Sequence, residues 1–298
     1  MMFNKPYNIV FISTFIDRKN INNLIESVNY NNKTLSILFI LINQTKSELK
    51  ITSTSLVNFH EINTEHLPLS NARNIGIKYL IEKDIKFEHI MFPDDDTTFS
   101  DVFFYKYTDI VKSTENYLID VYCCNSTKLY KSINYSEGDC LNSHNFEAAM
   151  SVNMILNYYT FILVGLFDQR LGVGAKYGAG EDCDFFIRAC NFTKHGFIYT
   201  KILFNFHPSS YNKFSKMKLN QIISKYINYG NGAIFMLCKH KMYIESCKLC
   251  FRAIGGIFIS LFKFDLKCSL GYIIAFFSRS LMFIKCIIYH KQLYYDNV

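Results

Sequence analysis

Asn8-Ile9-Val10-Phe11-Ile12-Ser13-Thr14-Phe15 is a continuous apolar run that closes in small polar residues. Apolarity without period-two alternation marks a strand covered on both faces, the condition of strands in a parallel sheet. Outward from it, Asn20 to Asn29 places Ile21, Leu24, Ile25 and Val28 at i, i+3, i+4 and i+7, one stripe of a helix. A second buried run, Leu35 to Ile42, ends in Asn43-Gln44-Thr45. Strand, helix and strand in this order predict a crossover unit whose ligand edge lies at the carboxyl ends of the strands.

The same reading extends along the chain. Residues 55–62 give a third, shorter strand, and Ser70 is expected to cap a helix running to Glu82. Glu88 to Pro93 is a compact strand that runs straight into Asp94-Asp95-Asp96. A helix over Asp101 to Lys112 and a strand over Tyr117 to Cys123 follow, and the polar, poorly periodic stretch Ile133 to Asn153 reads as a loop. The first part is therefore α/β with a mostly parallel sheet, and the chain ends in helices.

Charge divides the 298 residues in two. The total of 32 Lys+Arg against 25 Asp+Glu is +7, but residues 1–212 hold 19 and 22, and residues 213–298 hold 13 and 3. All of the basic character belongs to the tail, so the expected domains are 1–212, an acidic catalytic unit, and 213–298, a basic helical tail. Half of the residues are hydrophobic and 4 are Pro, which excludes disordered and collagen-like classes. The first residues show no secretory signal, and ten scattered cysteines then fit a reducing cytosolic compartment. Cys247-Lys248-Leu249-Cys250 has no second pair to complete a zinc site.

Four constellations could carry chemistry. Asp94-Asp95-Asp96 puts three mutually repelling carboxylates at a sheet's ligand edge, which a hard divalent ion such as Mg²⁺ or Mn²⁺ would compensate. Gly178-Ala179-Gly180-Glu181-Asp182-Cys183-Asp184 opens a helix with carboxylates, one of which could act as a general base. The glycines at 165, 172, 174, 178 and 180 predict a mobile preceding loop. His207 follows the apolar stretch Ile202 to Phe206 and could complete a metal shell or be structural. Arg73, one turn into its helix, could grip phosphate, orient an Asp or be a surface charge. No P-loop or Rossmann glycine pattern is present.

Taken in order, Ser13-Thr14-Phe15, Ala72-Arg73-Asn74-Ile75-Gly76, Met91-Phe92-Pro93-Asp94-Asp95-Asp96 and Gly165-Leu166-Phe167-Asp168 leading to Gly180-Glu181-Asp182-Cys183-Asp184 and Arg188 resemble the family-two inverting glycosyltransferases. The resemblance covers roughly residues 7 to 210. It implies a GT-A fold, a Rossmann-like sheet flanked by helices, here with a C-terminal α-helical extension, and a metal-dependent enzyme that uses a nucleotide-sugar donor. It further implies that Thr14, Phe15, Asn43, Arg73, Asp94 and Asp95 contact the nucleotide-sugar. Asp96, Asp94 and His207 would hold Mg²⁺ or Mn²⁺, and Asp182 would be the base with Glu181 beside it on the acceptor side. One departure stands out: the second strand ends in Asn43 where the family usually has Asp.

In the tail, single cations interleave with apolar stretches, and Ala253 to Phe262 and Cys268 to Phe277 are ten-residue runs, read as too short to span a bilayer. The pattern fits an amphipathic pair lying on an anionic membrane surface, with packing or homo-oligomerisation as the other use, and it does not fit nucleic acid. The expectation is a hexosyltransferase adding sugar to a saccharide acceptor, lipid-linked, in bacterial surface polysaccharide synthesis, on the cytoplasmic face of the cell membrane. A nucleotidyltransferase making an activated sugar and a non-catalytic glycan- or membrane-binding module are the alternatives.

Overall fold

A computed structural model describes residues 7–45, 47–131, 134–209 and 217–289. The chain forms two compact units, Met1–Phe167 with Asp182–Ser209, and Asp168–Glu181 with Ser210–Val298. The segment Asp168–Glu181 groups with the C-terminal helices.

The elements of the first unit are β1 (Tyr7–Phe15), α1 (Arg18–Asn31), β2 (Ile37–Asn43), β3 (Val57–Asn63), α2 (Leu69–Glu82), β4 (Phe87–Met91), β5 (Thr98–Phe99), α3 (Asp101–Ile110), β6 (Tyr117–Cys123), β7 (Cys140–Leu141), β8 (Met154–Asn157), α4 (Tyr158–Val164), α5 (Glu181–Phe192) and β9 (Phe197–His207). One sheet runs in the order β3-β2-β1-β4-β8-β6-β9-β5, with β7 also on β9. The pairings β2 with β3, β1 with β2, β1 with β4 and β6 with β9 are parallel and carry the long registers. The four antiparallel pairings match two residues each. Every residue of β2 is buried, as its unbroken apolarity requires. One core cluster stacks Phe11 on Phe99 (centroids 5.0 Å apart) and Phe99 against Phe103 (4.8 Å).

Local chemistry sets the element ends. Asp17 caps α1 by accepting from the Lys19 N–H at 2.8 Å. Pro68, not Ser70, stands at the α2 cap, and Ser70 is buried within the first turn. The stretch read as a loop contains β7 and two 3₁₀ turns, Ser143–Ala148 and Ser151–Asn153. It leads into β8, a wholly buried strand of four residues between β4 and β6 that the sequence reading lacks.

The second unit has three long helices, α6 (Leu219–Lys239), α7 (Tyr243–Phe262) and α8 (Leu266–Ile288). The two ten-residue runs are halves of single helices of 20 and 23 residues. α8 is long and apolar enough to cross a membrane by length and composition, so length alone does not exclude crossing. α6 also grips the segment Asp168–Glu181. Asp168 accepts from Arg170 Nη2 at 2.7 Å and from Lys239 Nζ at 2.8 Å, which hold its pKa near 2 although burial pushes it up. Tyr177 stacks on Phe235 at 4.0 Å, and a Cβ at Gly178 would lie 2.8 Å from that of Asn228. The glycines expected to loosen this segment instead let it approach the helix: Gly180 has φ +94, and a side chain at Gly232 would run into the Ala179 carbonyl.

Candidate active site

The site is built where α2 meets the carboxyl ends of β1 and β4. A Cβ at Gly76 would stand 2.8 Å from the Ile12 side chain, so the glycine lets α2 lie directly on β1. That contact holds Arg73, one turn earlier, over the sheet edge at 2% exposure. A buried guanidinium requires partners. Nη2 donates to Asp94 Oδ1 at 2.8 Å and to Ser151 Oγ at 2.7 Å, and Nη1 donates to Asp182 Oδ1 at 3.1 Å. The guanidinium carbon also sits 5.4 Å from the centre of the Phe167 ring. Asn74, the next residue, fixes that ring's backbone by donating to the Phe167 carbonyl at 2.9 Å and accepting from its N–H at 2.8 Å.

β4 ends at Met91 and the chain turns sharply, with the Thr97 N–H donating to the Asp94 carbonyl at 3.0 Å. The turn separates the three carboxylates. Asp94 meets Arg73, and Asp94 and Asp96 both meet His207, whose Nε2 lies 3.6 Å from Asp94 Oδ2 and 3.0 Å from Asp96 Oδ1. His207 closes β9, and its Nδ1 lies 3.0 Å from the Pro208 carbonyl. A proton on Nδ1 directed at that carbonyl leaves Nε2 toward the carboxylates, the usual arrangement behind a metal-ligating imidazole. The ligand atoms of Asp94, Asp96 and His207 lie within 4.8 Å of one another. Two carboxylate oxygens and one imidazole nitrogen suit Mn²⁺ or Mg²⁺, so the residues fit the expected ion.

The two carboxylates on Arg73 are driven apart electrostatically. Burial pushes Asp94 up, but the His207 hydrogen bond and the Arg73 charge outweigh it and hold Asp94 below the usual carboxylate range. Burial also pushes Asp182 up; Arg73 opposes this, the Asp94 charge adds to it, and the net direction is upward. One carboxylate stays firmly ionised and its neighbour is the better proton acceptor, a division that separates acid–base roles. His207 is lowered by burial but raised more by Asp94 and Asp96, to about 11. A cation bound there would take over that electrostatic role and release the proton.

The structure therefore brings together Arg73, Asp94, Asp96, Asp182 and His207 from the expected set. Thr14 is half-buried at the end of β1. Phe15 is 1% exposed and its side chain packs in the core cluster. Asn43 is likewise turned inward: it donates to Glu61 Oε1 at 2.5 Å and to the Ser47 carbonyl at 2.9 Å and accepts from the Thr45 N–H at 2.8 Å. Those bonds fold the turn after β2. Asp95 is half-buried in the turn and lies outside the three-residue cluster. Glu181 is buried at the first position of α5. Asp184, also fully buried, pairs with Arg188 at 2.9 Å, one turn on. Ser151, Asn74 and Phe167 complete the cradle of Arg73; only the hydroxyl of Ser151 lay in a segment read as plain loop.

No protein-family model matches the chain, and no curated protein matches it in sequence. Among solved structures, S. aureus TarS 1-349 superposes with a TM-score of 0.52 at 11% identity, covering 97% of this chain and 93% of that one. TarS 1-349 in complex with UDP-GlcNAc gives 0.50 at 12% identity over 97% and 93%. Its complex with UDP gives 0.50 at 12% over 96% and 92%. The likeness is one of fold: a mixed sheet, parallel in its long registers, flanked by helices and followed by C-terminal helices, the GT-A architecture.

Proposed function

We propose that the chain is an inverting, metal-dependent glycosyltransferase that moves a hexose from a nucleoside-diphosphate sugar to a saccharide hydroxyl. One observation carries the reading: the buried Arg73 guanidinium holds Asp94, from the acidic turn, and Asp182, from the start of α5, on a single cation. A fold shared with a protein that binds UDP-GlcNAc supports the donor class.

Asp94, Asp96 and His207 would hold the ion, which supplies charge neutralisation at the leaving diphosphate when bound. Arg73 and the Ser151 backbone N–H orient the Asp182 carboxylate. With its pKa raised, Asp182 accepts the proton of the acceptor hydroxyl as that oxygen attacks the anomeric carbon opposite the diphosphate. Attack from the opposite face inverts the anomeric configuration in one displacement. The basic C-terminal helices support an acceptor carried on lipid, in bacterial surface-glycan assembly at the inner membrane face.

Asp182→Asn keeps the shape of the side chain and one accepting oxygen but removes its basicity. The expected result is a ~10²- to 10⁴-fold loss of kcat with donor binding retained. Donor binding is read by thermal shift across a panel of nucleotide-sugars with and without Mn²⁺, and Asp96→Ala is expected to abolish the metal-dependent part of that shift. Normal turnover by the Asn variant would remove Asp182 from the reaction, and silence across the whole panel would sink the transferase reading.

A further inference from the structure

The α7–α8 hairpin is packed inside out. Its buried positions are small or slim: Ser246, Cys250, Ala253 and Ser260 on α7, and Ser269, Gly271, Ala275, Met282 and Cys286 on α8. Two glycines set the approach, since a Cβ at Gly256 would meet the Tyr272 ring at 2.6 Å and one at Gly271 would meet the Tyr226 ring at 2.6 Å. The large apolar side chains point outward. Leu266, Leu270, Ile273, Phe277, Leu281, Ile284 and Ile288 recur at steps of three and four along all of α8 and are 38% to 70% exposed. On α7, Ile244, Phe251, Phe258 and Phe262 follow one face at steps of seven, seven and four, with Phe262 85% exposed, and Phe264 in the connecting turn is 91% exposed.

In water the hydrophobic effect places large apolar groups inside and small ones wherever they fit. The reverse order, small residues between helices and Leu, Ile and Phe outside, is how helices pack when their surroundings are lipid. The charge around the stripes selects the lipid. Residues 243–289 carry six Lys and Arg against Glu245 and Asp265, so a second copy would set the same positive surplus against itself, whereas an anionic headgroup layer complements it. The cations also fix the depth. Arg252, Lys263, Lys267 and Lys285 are exposed along both helices and the turn, so a crossing hairpin would bury several of them, while an in-plane one lets them reach the headgroups; Arg279 instead turns inward and donates to the Leu249 carbonyl at 2.9 Å.

We propose that the α7–α8 hairpin lies in the interface of an anionic bilayer, with its outward apolar stripes at the headgroup–acyl boundary. The inference rests on the packing of these helices and not on the catalytic reading, so a chain with no transferase activity would still bind.

The test uses the full chain and flotation with phosphatidylcholine vesicles, with and without phosphatidylglycerol. The wild type is expected to float with the anionic vesicles and to be released by salt. Phe277→Glu combined with Leu281→Glu alters only exposed positions; at least tenfold weaker vesicle binding with an unchanged melting temperature supports the proposal. The chain has no Trp, so Phe277→Trp provides a single fluorophore for depth. Stronger quenching by lipids brominated near the headgroup than near the acyl end is expected, and the opposite order overturns the interfacial placement. Failure of the wild type to float on either vesicle overturns the proposal, as does a glutamate variant that only dissociates a soluble oligomer.

Discussion

The α/β unit and the α7–α8 hairpin solve the same problem, what to put inside, in opposite ways. The first buries aromatic rings against one another, Phe11 stacked on Phe99 and Phe103 tilted against Phe99, and within that interior it hides titratable groups such as Arg73, His89 and Asp184. The second buries Ser, Ala, Gly and Cys and turns its Phe, Leu and Ile outward. On the proposal that the hairpin lies in lipid, interior composition follows the surroundings that each part meets. In the first unit the reward for burial comes from removing large apolar surfaces from water; in the second, close helix approach is the gain and the large surfaces remain to be covered.

The comparison can be broken at its strongest point by truncating a ring in each unit. Phe99→Ala, at 2% exposure among three other phenylalanines, is expected to lower unfolding free energy by ~3–5 kcal/mol in urea titrations. Acid is the next lever. His89 is fully buried, with Nδ1 2.7 Å from the Tyr107 hydroxyl, and burial lowers its pKa to about 4. Between pH 6.5 and about 4 the unfolded chain binds this proton and the folded one does not, so stability falls with falling pH, by up to ~3 kcal/mol. Denaturation at pH 7 and pH 4.5 should show that loss, and His89→Gln should flatten it. In the hairpin the sensitive substitution is an enlargement: Gly256→Leu drives a side chain into the Tyr272 ring and should cost ~1–3 kcal/mol. Phe277→Ala, which removes a ring 60% exposed, should change stability in detergent-free buffer by no more than ~0.5 kcal/mol, measured by thermal melting. A cost for Phe277→Ala equal to that of Phe99→Ala would erase the contrast.

Much of the fold is legible in single stretches of chain. The apolar runs that became β1 and β2 and the stripe of α1 announce themselves within ten residues, because burial on both faces leaves no polar interruption. The acidic turn and His207 were likewise legible as residue types at strand ends. The role of Arg73 was not, since its partners lie 21, 78 and 109 positions away and only tertiary packing chooses among phosphate grip, orientation and surface charge. The bonds of Asn43 are hidden for the opposite reason: its partners are the local turn and one neighbouring strand, and an amide that folds a turn at a ligand edge looks the same in sequence as one that faces a ligand. β8 escaped because a four-residue strand has too short a period to read. The long tail helices are hard to read across Arg252, Lys267 and Arg279, which lie within them, whereas Lys263 does stand at the C-cap of α7.

The excursion Asp168–Glu181 also has a consequence for how the chain comes to be folded. Its ion pair to Lys239 and its ring stack on Phe235 join residues that leave the ribosome some sixty to seventy positions apart. Until α6 is synthesised, Asp168 lacks that lysine and Tyr177 lacks its ring, so the stretch just before Asp182 has nothing to settle on. A chain shortened to the α/β sequence alone would carry fourteen residues deprived of their packing surface, immediately preceding the proposed base. Synthesis of α6 is thus a late step in completing the segment Asp168–Glu181, which lies earlier in the chain.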